Sequence, residues 1–282
     1  MKSTNISKTG SKFGGHEFKK SLGQNFISDT NLLKGICADA GITSNDLCVE
    51  IGAGGGTLTN EICKLAKKVV SFEVDTSLKP LLLAVQDENK NLNAVFKDIM
   101  KTDLNDLDEL FNEPVTEYKV VANLPYYITT PIIFKLFKDS KRLKSITVMV
   151  QKEVAERMVA KAGSKDYGVL SCMVQYYGDV KIKRIVKRTN FYPMPKVDSA
   201  IVRIDISGNC NSEFTEKYEQ VVRLGFQNRR KKLLSNLSAL NGVTKEIAMN
   251  ALTAIGKPEN VRAEELSTEE FIWLTKLIYN VN

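Results

Sequence analysis

The chain of 282 residues contains little of what several common kinds of site require. It has one histidine, His16, which argues against a zinc site and against a histidine-dependent catalytic triad. Its five cysteines are scattered without a CxxC spacing, and their number is odd. This pattern favours the reducing cytoplasm over a disulfide framework. We therefore expect a cytoplasmic protein whose chemistry uses no metal.

Long apolar runs are also missing, and the mean hydropathy is −0.18. No stretch approaches 18 apolar residues, so we expect no membrane span. The first 15 residues lack an apolar core, so we expect no secretory signal. Composition is otherwise that of a globular protein, with 43% apolar and 26% charged residues. The net charge of +7 is compatible with a polyanionic partner without establishing one.

Short β-rich runs alternate with helical patterns from residue 46 onward. This alternation predicts an α/β domain with a parallel sheet covered on both faces. The predicted strands are 47–52, 69–75, 93–98, 118–125 and 145–150, and the predicted helices are 57–67, 76–88, 101–112 and 130–139.

Two further β-rich runs, 179–188 and 199–206, are separated by a turn-rich segment and predict an antiparallel pair. Beyond residue 212 the pattern is helical only. We therefore predict a flexible basic tail over 1–20, an α/β domain over 21–207 and a small helical domain over 208–282.

A glycine-rich turn follows the first strand, in the pattern E-x-G-x-G-x-G from Glu50 to Gly56. Glycine at such a turn lets a ligand approach the backbone closely. Counted from Gly52, the dinucleotide fingerprint would need glycine at 57, where Thr57 stands. A carboxylate at Glu50 would repel a pyrophosphate but not an ammonium or a sulfonium. The pattern therefore favours S-adenosylmethionine over a nicotinamide dinucleotide.

Two more acids follow the next two strands. Glu73 lies 21 residues beyond Gly52, a spacing that suits a carboxylate accepting hydrogen bonds from ribose hydroxyls. Asp98 follows the third strand, where it could meet an adenine amino group. Each acid could equally cap a helix, but three acids in order at successive strand ends favour a nucleoside-type cofactor.

The fourth predicted strand ends in Asn123-Leu124-Pro125-Tyr126. An exocyclic aromatic amine is a poor nucleophile because its lone pair is delocalised into the ring. The Asn123 side-chain oxygen and the Pro125 carbonyl could accept hydrogen bonds from such an amine and direct its lone pair at a methyl group. Catalysis would then consist of positioning and electrostatic stabilisation. Tyr126 would stack on the base.

Phe191, in the turn-rich segment, is a candidate for the second wall of a base pocket. Stacking stabilises a base by roughly 1–3 kcal/mol, which is comparable with the cost of extruding one from a helix. The alternative is that Phe191 only covers the edge of the core.

Taken together, five motifs occur in the order typical of a known family. They are KKSLGQNF (19–26), EIGAGGGTLT (50–59), NLPYYITTPI (123–132), FYPMPKVDSAIV (191–202) and FQNRRKKLLSNL (226–237). The chain resembles the rRNA adenine N6,N6-dimethyltransferases, and Pro131 with the full FQNRRKKLLSNL segment resembles their small-subunit (16S) branch more than the 23S macrolide-resistance branch.

The resemblance implies a Rossmann-like seven-stranded methyltransferase sheet with a small all-helical C-terminal domain. It implies dimethylation of two adjacent adenosines near the 3′ end of 16S rRNA within the immature small ribosomal subunit. It also implies that cofactor contacts come from Asn25, Ile27, Gly52, Gly54, Glu73, Asp98 and Asn123, and base contacts from Asn123, Pro125, Tyr126 and Phe191. Two alternatives stay open: a 23S enzyme, and an RNA-binding assembly factor whose catalysis is secondary.

Three segments carry the basic excess: 1–20, 181–203 and 217–232. Such side chains would neutralise RNA phosphates without reading sequence, although a charge run is usually a solvated helix face. The RNA-binding candidates are Lys187, Arg188, Arg229, Arg230, Lys231 and Lys232, with the last four predicted on a helix. No heptad pattern or apolar interface is readable, so we expect a monomer.

Overall fold

A computed structural model describes residues 12–13, 16–17, 26–27, 29–139, 141–207 and 212–281. Within these ranges, seven strands form the main sheet: β1 Leu47–Ile51, β2 Lys68–Phe72, β3 Leu92–Val95, β4 Tyr118–Asn123, β5 Leu143–Gln151, β6 Gly178–Val186 and β7 Ser199–Ile206. Shorter two-residue strands are Lys12–Phe13, His16–Glu17, Phe26–Ile27 and Phe191–Tyr192.

The α-helices of the described ranges are α1 Thr30–Asp39, α2 Thr57–Cys63, α3 Lys79–Glu88, α4 Leu107–Phe111, α5 Tyr126–Asp139, α6 Lys152–Met158, α7 Val169–Tyr177, α8 Ser212–Gln227, α9 Leu233–Leu237, α10 Lys245–Ala254 and α11 Thr268–Tyr279. Short 3-10 helices occur at Thr76–Leu78, Ile99–Lys101, Leu104–Asp106, Arg188–Asn190 and Ala263–Glu265.

The main sheet has the strand order β3-β2-β1-β4-β5-β7-β6. The strand pairs β1–β2, β2–β3, β1–β4 and β4–β5 are parallel, and β7 is antiparallel to β5. All five residues of β1 are buried, as expected for a parallel strand covered on both faces. The predicted α/β class with a seven-stranded Rossmann-like sheet is confirmed.

The order of the strands places the site. After β1 the chain builds β2 and β3 on one side, and then returns to build β4 and β5 on the other. A crevice therefore opens at the carboxyl ends of β1 and β4, which is where ligands bind in open α/β sheets. Ile51 pairs with Ala122 at this edge, so the residues after β1 and the end of β4 are neighbours.

The predicted strands are present, with ends that differ by at most three residues. The helices α1, α6 and α7 were not predicted. The second half of 101–112 is helical, as α4, but its first half holds two 3-10 turns. From Ser212 to Val281 the described residues form helices and turns without a strand, as expected.

Contacts divide the chain into two compact units. The first contains the described residues up to Lys152 together with Ile182–Ile206, and the second contains Glu153–Lys181 together with the described residues from Ser207 onward. The segment Glu153–Lys181, which the sequence analysis assigned to the α/β domain, thus groups with the C-terminal helices. In that second unit, rings of Tyr167, Phe226 and Phe271 form a chain with centroid distances of 6.0 and 5.7 Å.

Candidate active site

A cavity of about 270 Å³ occupies the crevice at the carboxyl ends of β1 and β4. Most of the predicted cofactor and base contacts line it. They are Ile27, Gly52, Gly54, Glu73, Asp98, Asn123, Pro125, Tyr126 and Phe191. Asn25 lies outside the described residues. The fold therefore brings together residues that are up to 164 positions apart in the sequence.

The residues 52–56, called here the glycine corner, form one side of this cavity. Gly52 and Gly54 have φ angles of +79° and +59°, which L-residues with a side chain rarely adopt. A Cβ atom at Gly52 would also lie 3.2 Å from the Asn123 carbonyl oxygen and 3.1 Å from Leu124 Cδ2. The close approach of β1 to β4 at this edge therefore depends on glycine at 52.

Glu73 is held by the backbone of the same region. Its Oε2 accepts a hydrogen bond from the Gly54 N–H at 2.7 Å, and its Oε1 accepts one from the Asp75 N–H at 2.8 Å. Each carboxylate oxygen has a second lone pair that can accept a further bond. The carboxylate is thus oriented before any ligand binds, and a ribose diol is a suitable donor for the remaining positions.

Glu50 does not have the position that the sequence argument gave it. It is absent from the cavity lining, and its Oε2 accepts bonds from the Thr59 and Ser71 hydroxyls at 2.6 Å each. Burial is the largest cause that raises the pKa of Glu50, to about 7, the two hydroxyls oppose it, and Glu73 adds a smaller increase. The carboxyl groups that would disfavour a pyrophosphate in this cavity are therefore those of Glu73 and Asp98, which line it.

Asp98 caps a helix, and its position at the cavity is compatible with the predicted ligand contact. Its Oδ1 accepts the Met100 N–H at 2.9 Å and so caps the 3-10 helix Ile99–Lys101. The residue also lines the cavity. A cap bond of this kind fixes the side chain without excluding a contact to a ligand.

Residues 123–126, the Asn-Leu-Pro-Tyr corner, form the opposite side. Asn123 is the last residue of β4, and Tyr126 is the first residue of α5. The Pro125 carbonyl accepts hydrogen bonds from the Ile128 N–H at 3.2 Å and the Thr129 hydroxyl at 3.0 Å. Both of its lone pairs are used at the start of α5, which argues against the predicted acceptance of a substrate amine by this carbonyl.

Two aromatic rings belong to the cavity wall, as predicted. The Tyr126 hydroxyl lies 2.7 Å from Ser199 Oγ, and burial raises the pKa of Tyr126, which keeps the phenol neutral. Phe191 is 5% exposed and pairs with Ile27 in a short antiparallel ladder. The ring of Tyr127 also lines the cavity and is 65% exposed. No role was predicted for Tyr127 from the sequence, although it directly follows a motif tyrosine.

Some side chains of the predicted RNA-binding run have partners within the protein, and others are exposed. Residues 229–232 do not form the predicted helix but lie in the turn between α8 and α9. The Arg229 guanidinium donates to the Tyr167 carbonyl at 2.9 Å and lies 3.3 Å from a Glu264 carboxylate oxygen, so it connects segments of the second unit. Lys232 lies 3.7 Å from Glu259. Among the other candidates, Arg230, Lys231, Lys187 and Arg188 are exposed.

Two other features are absent from the described part of the chain. No group of three or more His, Cys, Asp or Glu side chains there could hold a metal ion. No helix there is both long and apolar enough to cross a membrane.

Comparisons with known proteins agree with this geometry. The family model described as ribosomal RNA adenine dimethylase matches residues 15–279. The ribosomal RNA small subunit methyltransferase A proteins of Bacillus cereus (strain B4264) and Bacillus mycoides are each 45% identical over 272 residues, which is 94% of this chain and 92% of theirs.

Two solved structures have a similar fold. The crystal structure of a dimethyladenosine transferase from Plasmodium falciparum has a TM-score of 0.74 at 27% identity and covers 88% of this chain and 95% of its own. The 23S rRNA methyltransferase ErmE shares the fold, with a TM-score of 0.69 at 24% identity over 90% of this chain and 99% of its own. The family match over nearly the whole chain, together with the 45% identical relatives, shows that the chain belongs to the ribosomal RNA adenine dimethylase family.

Proposed function

We propose that this protein uses S-adenosylmethionine to dimethylate N6 of two adjacent adenosines near the 3′ end of 16S rRNA during small-subunit biogenesis. The observation that carries the proposal is the meeting of two corners in one cavity. The glycine corner orients the Glu73 carboxylate, and the Asn-Leu-Pro-Tyr corner supplies an amide and an aromatic ring. The curated relatives named as small-subunit methyltransferases support the 16S substrate over the 23S alternative.

The cavity suits a nucleoside methyl donor. Glu73 offers lone pairs to ribose hydroxyls, and Asp98 offers a carboxylate to an adenine amino group. Gly52 and Gly54 place backbone rather than side chain at the wall, which leaves space for a ligand. When bound, S-adenosylmethionine supplies a methyl group activated by its attachment to a positively charged sulfur.

The protein's own contribution is to position the adenine. We propose that the Asn123 side-chain oxygen accepts a hydrogen bond from N6 and that a ring of Tyr126 or Phe191 stacks on the base. Because the Pro125 carbonyl is engaged, we assign the second acceptor to the carbonyl of Leu124, which also belongs to the cavity lining. The two acceptors would hold the N6 hydrogens out of the plane of the ring. The nitrogen lone pair then points at the methyl group, and no strong base is required.

Primer extension over both rRNAs tests the proposal. The wild-type protein should block extension at two adjacent adenosines near the 3′ end of 16S rRNA and nowhere on 23S rRNA. Asn123→Ala should lower the rate of methyl transfer about 100- to 1,000-fold, as loss of a preorganised polar group at a reacting atom does. Its affinity for S-adenosylmethionine, measured by calorimetry, should change by less than about tenfold.

Asn93→Ala is the matched control. Asn93 is a half-buried asparagine of β3 whose amide donates to the Leu110 carbonyl at 2.8 Å, away from the cavity. This variant should lose stability but keep its methyl transfer rate. Methylation of 23S rRNA by the wild type, or full activity of Asn123→Ala, would overturn the proposal.

A further inference from the structure

A groove beside the cavity is lined by residues 100–105 of one segment and by residues between 135 and 142 of another. It has a volume of about 870 Å³. Five of its described lining residues are basic, and one, Asp103, is acidic. The basic residues are Lys101, Lys135, Lys138, Lys141 and Arg142.

Arg142 builds the floor of this groove. Its guanidinium lies 2.7 Å from Asp108 Oδ1 and donates to the Leu104 carbonyl at 3.1 Å. It also donates to the carbonyls of Val115 and Asn105, at 3.1 and 3.2 Å. These bonds hold the 100–105 segment against the start of β5. The Asp103 carboxylate accepts the Asn105 N–H at 2.9 Å, so the acid in the lining is occupied by its own turn.

Three of the remaining four cations stand at the rim. Lys101, Lys138 and Lys141 are exposed, and they come from the 3-10 helix Ile99–Lys101, from the last turn of α5 and from the segment before β5. Exposed lysines spaced along an open groove suit a chain of phosphates. A single small anion would instead require a buried, convergent set of donors.

The groove borders the cavity, because the two share a lining residue. Met100 lines both of them and is 37% exposed. Tyr127, also in the cavity lining, is 65% exposed. Exposed apolar and aromatic side chains followed by a basic groove are the combination with which proteins bind single-stranded nucleic acid, because bases stack on the first and phosphates lie along the second.

We propose that this groove, called the lysine groove, binds the backbone phosphates of the RNA strand that continues from the target adenosine past Met100. This inference rests on the proposed function and adds a second contact region for the same substrate. The lysine groove lies wholly within the first unit and shares no residue with the basic segments found from the sequence.

The salt dependence of RNA binding tests the lysine groove. The double variant Lys101→Gln/Lys141→Gln removes two rim charges that are exposed, so the fold should be preserved. Each phosphate contact contributes about 0.7 to 0.9 to the slope of log affinity against log salt concentration. The variant should therefore lower the magnitude of the slope for a 16S 3′-end RNA by about 1.4 to 1.8, and weaken binding roughly 25- to 60-fold at 0.1 M salt.

The control is Lys67→Gln/Lys90→Gln, which removes the same charge at exposed lysines that line neither the cavity nor the lysine groove. It should keep the wild-type slope. Equal slopes for the two double variants would show that the lysine groove does not bind RNA phosphates. If the wild-type protein still methylated 16S rRNA, the proposed function would stand. A wild-type protein that neither bound nor methylated the 16S RNA would overturn the proposed function and the lysine groove together.

Discussion

The glycine corner and the Asn-Leu-Pro-Tyr corner follow neighbouring strands and face the same cavity, but they keep their shapes by different means. The glycine corner depends on backbone conformations, with φ angles of +79°, +59° and +80° at Gly52, Gly54 and Gly56. The Asn-Leu-Pro-Tyr corner depends on side chains from elsewhere, since the Thr129 hydroxyl binds the Pro125 carbonyl and Ser199 binds the Tyr126 hydroxyl.

Because of this difference, each corner offers different groups to the cavity. A turn fixed by its own backbone offers N–H groups and space, and it orients Glu73 through the Gly54 N–H. A corner held by side chains from other positions can present an amide and a ring while its Pro125 carbonyl bonds within α5. The two corners touch at Gly52, where a Cβ atom would meet the Asn123 carbonyl oxygen. Substitutions on either side should therefore have effects of different size.

The largest effect is expected for Gly52→Ala. The new methyl group requires a left-handed backbone at a cost of about 1–2 kcal/mol, and it lies within 3.2 Å of Asn123 and Leu124. It should displace both corners and lower the methyl transfer rate at least about 100-fold, the loss caused by a misplacement of about 1 Å. Single-turnover methylation measures this.

Gly163→Ala separates strain from contact. Gly163 has a φ angle of +83°, but a Cβ atom there would meet nothing within 4 Å. The control carries the same backbone strain and should leave methyl transfer within about threefold of wild type. If both variants lose activity equally, the contact between the two corners is not what Gly52 provides.

The same contrast explains how far the sequence could predict the site. Gly52 and Gly54 have few structural uses besides a left-handed turn, so their pattern after a buried strand predicted the glycine corner directly. Asn123 and Tyr126 were also identified from the sequence, but the bonding of the Pro125 carbonyl was not. It depends on Thr129, whose hydroxyl could have bonded elsewhere.

Tertiary contacts also account for the basic run that was predicted on a helix. Arginine and lysine favour helices, but the Asn236 side chain donates to the Gly225 carbonyl at 2.7 Å near the end of α8. The Arg229 guanidinium then binds the Tyr167 carbonyl. The lysine groove shows the reverse case, because Lys101 and Lys141 are 40 positions apart and only the fold brings them together.

A smaller effect is expected for Thr129→Val, which tests the Asn-Leu-Pro-Tyr corner alone. Thr129 is 2% exposed, and valine keeps its shape while removing the hydroxyl bonded to the Pro125 carbonyl. Loss of this bond should lower the free energy of unfolding by about 0.5–1.5 kcal/mol and reduce methyl transfer two- to tenfold as the start of α5 loosens. Chemical denaturation and steady-state kinetics measure the two quantities.

Thr130→Val, one position later in α5 and half-buried, makes the same chemical change and should leave both quantities near their wild-type values. Increased activity of Thr129→Val would contradict this assignment. It would mean that the freed Pro125 carbonyl accepts the substrate amine after all.

The smallest effect concerns Glu50, which lies behind the glycine corner. Burial raises its pKa from the ordinary 4.5 to about 7, although the Ser71 and Thr59 hydroxyls oppose the rise. The folded protein therefore keeps a proton that the unfolded chain loses, so stability falls as pH rises from about 4.5 to about 7 and then levels off. Glu50→Gln stays neutral and can still accept both hydroxyl bonds. The melting temperature of Glu50→Gln minus that of the wild type should therefore increase by roughly 5 °C between pH 5 and pH 8.

Ser71→Ala sharpens this last prediction because it changes the titration rather than removing it. The Ser71 hydroxyl favours the ionised form of Glu50, so its loss should raise the pKa of Glu50 in the folded protein and extend the pH-dependent decline in stability to higher pH. Calorimetric melting at pH 5, 6, 7 and 8 distinguishes the three proteins. A difference between Glu50→Gln and wild type that stayed constant over this range would show that the carboxyl ionises in the folded protein as it does in the unfolded chain. Glu50 would then add a fixed negative charge behind the glycine corner, and the two corners would differ in electrostatics as well as in how their shapes are held.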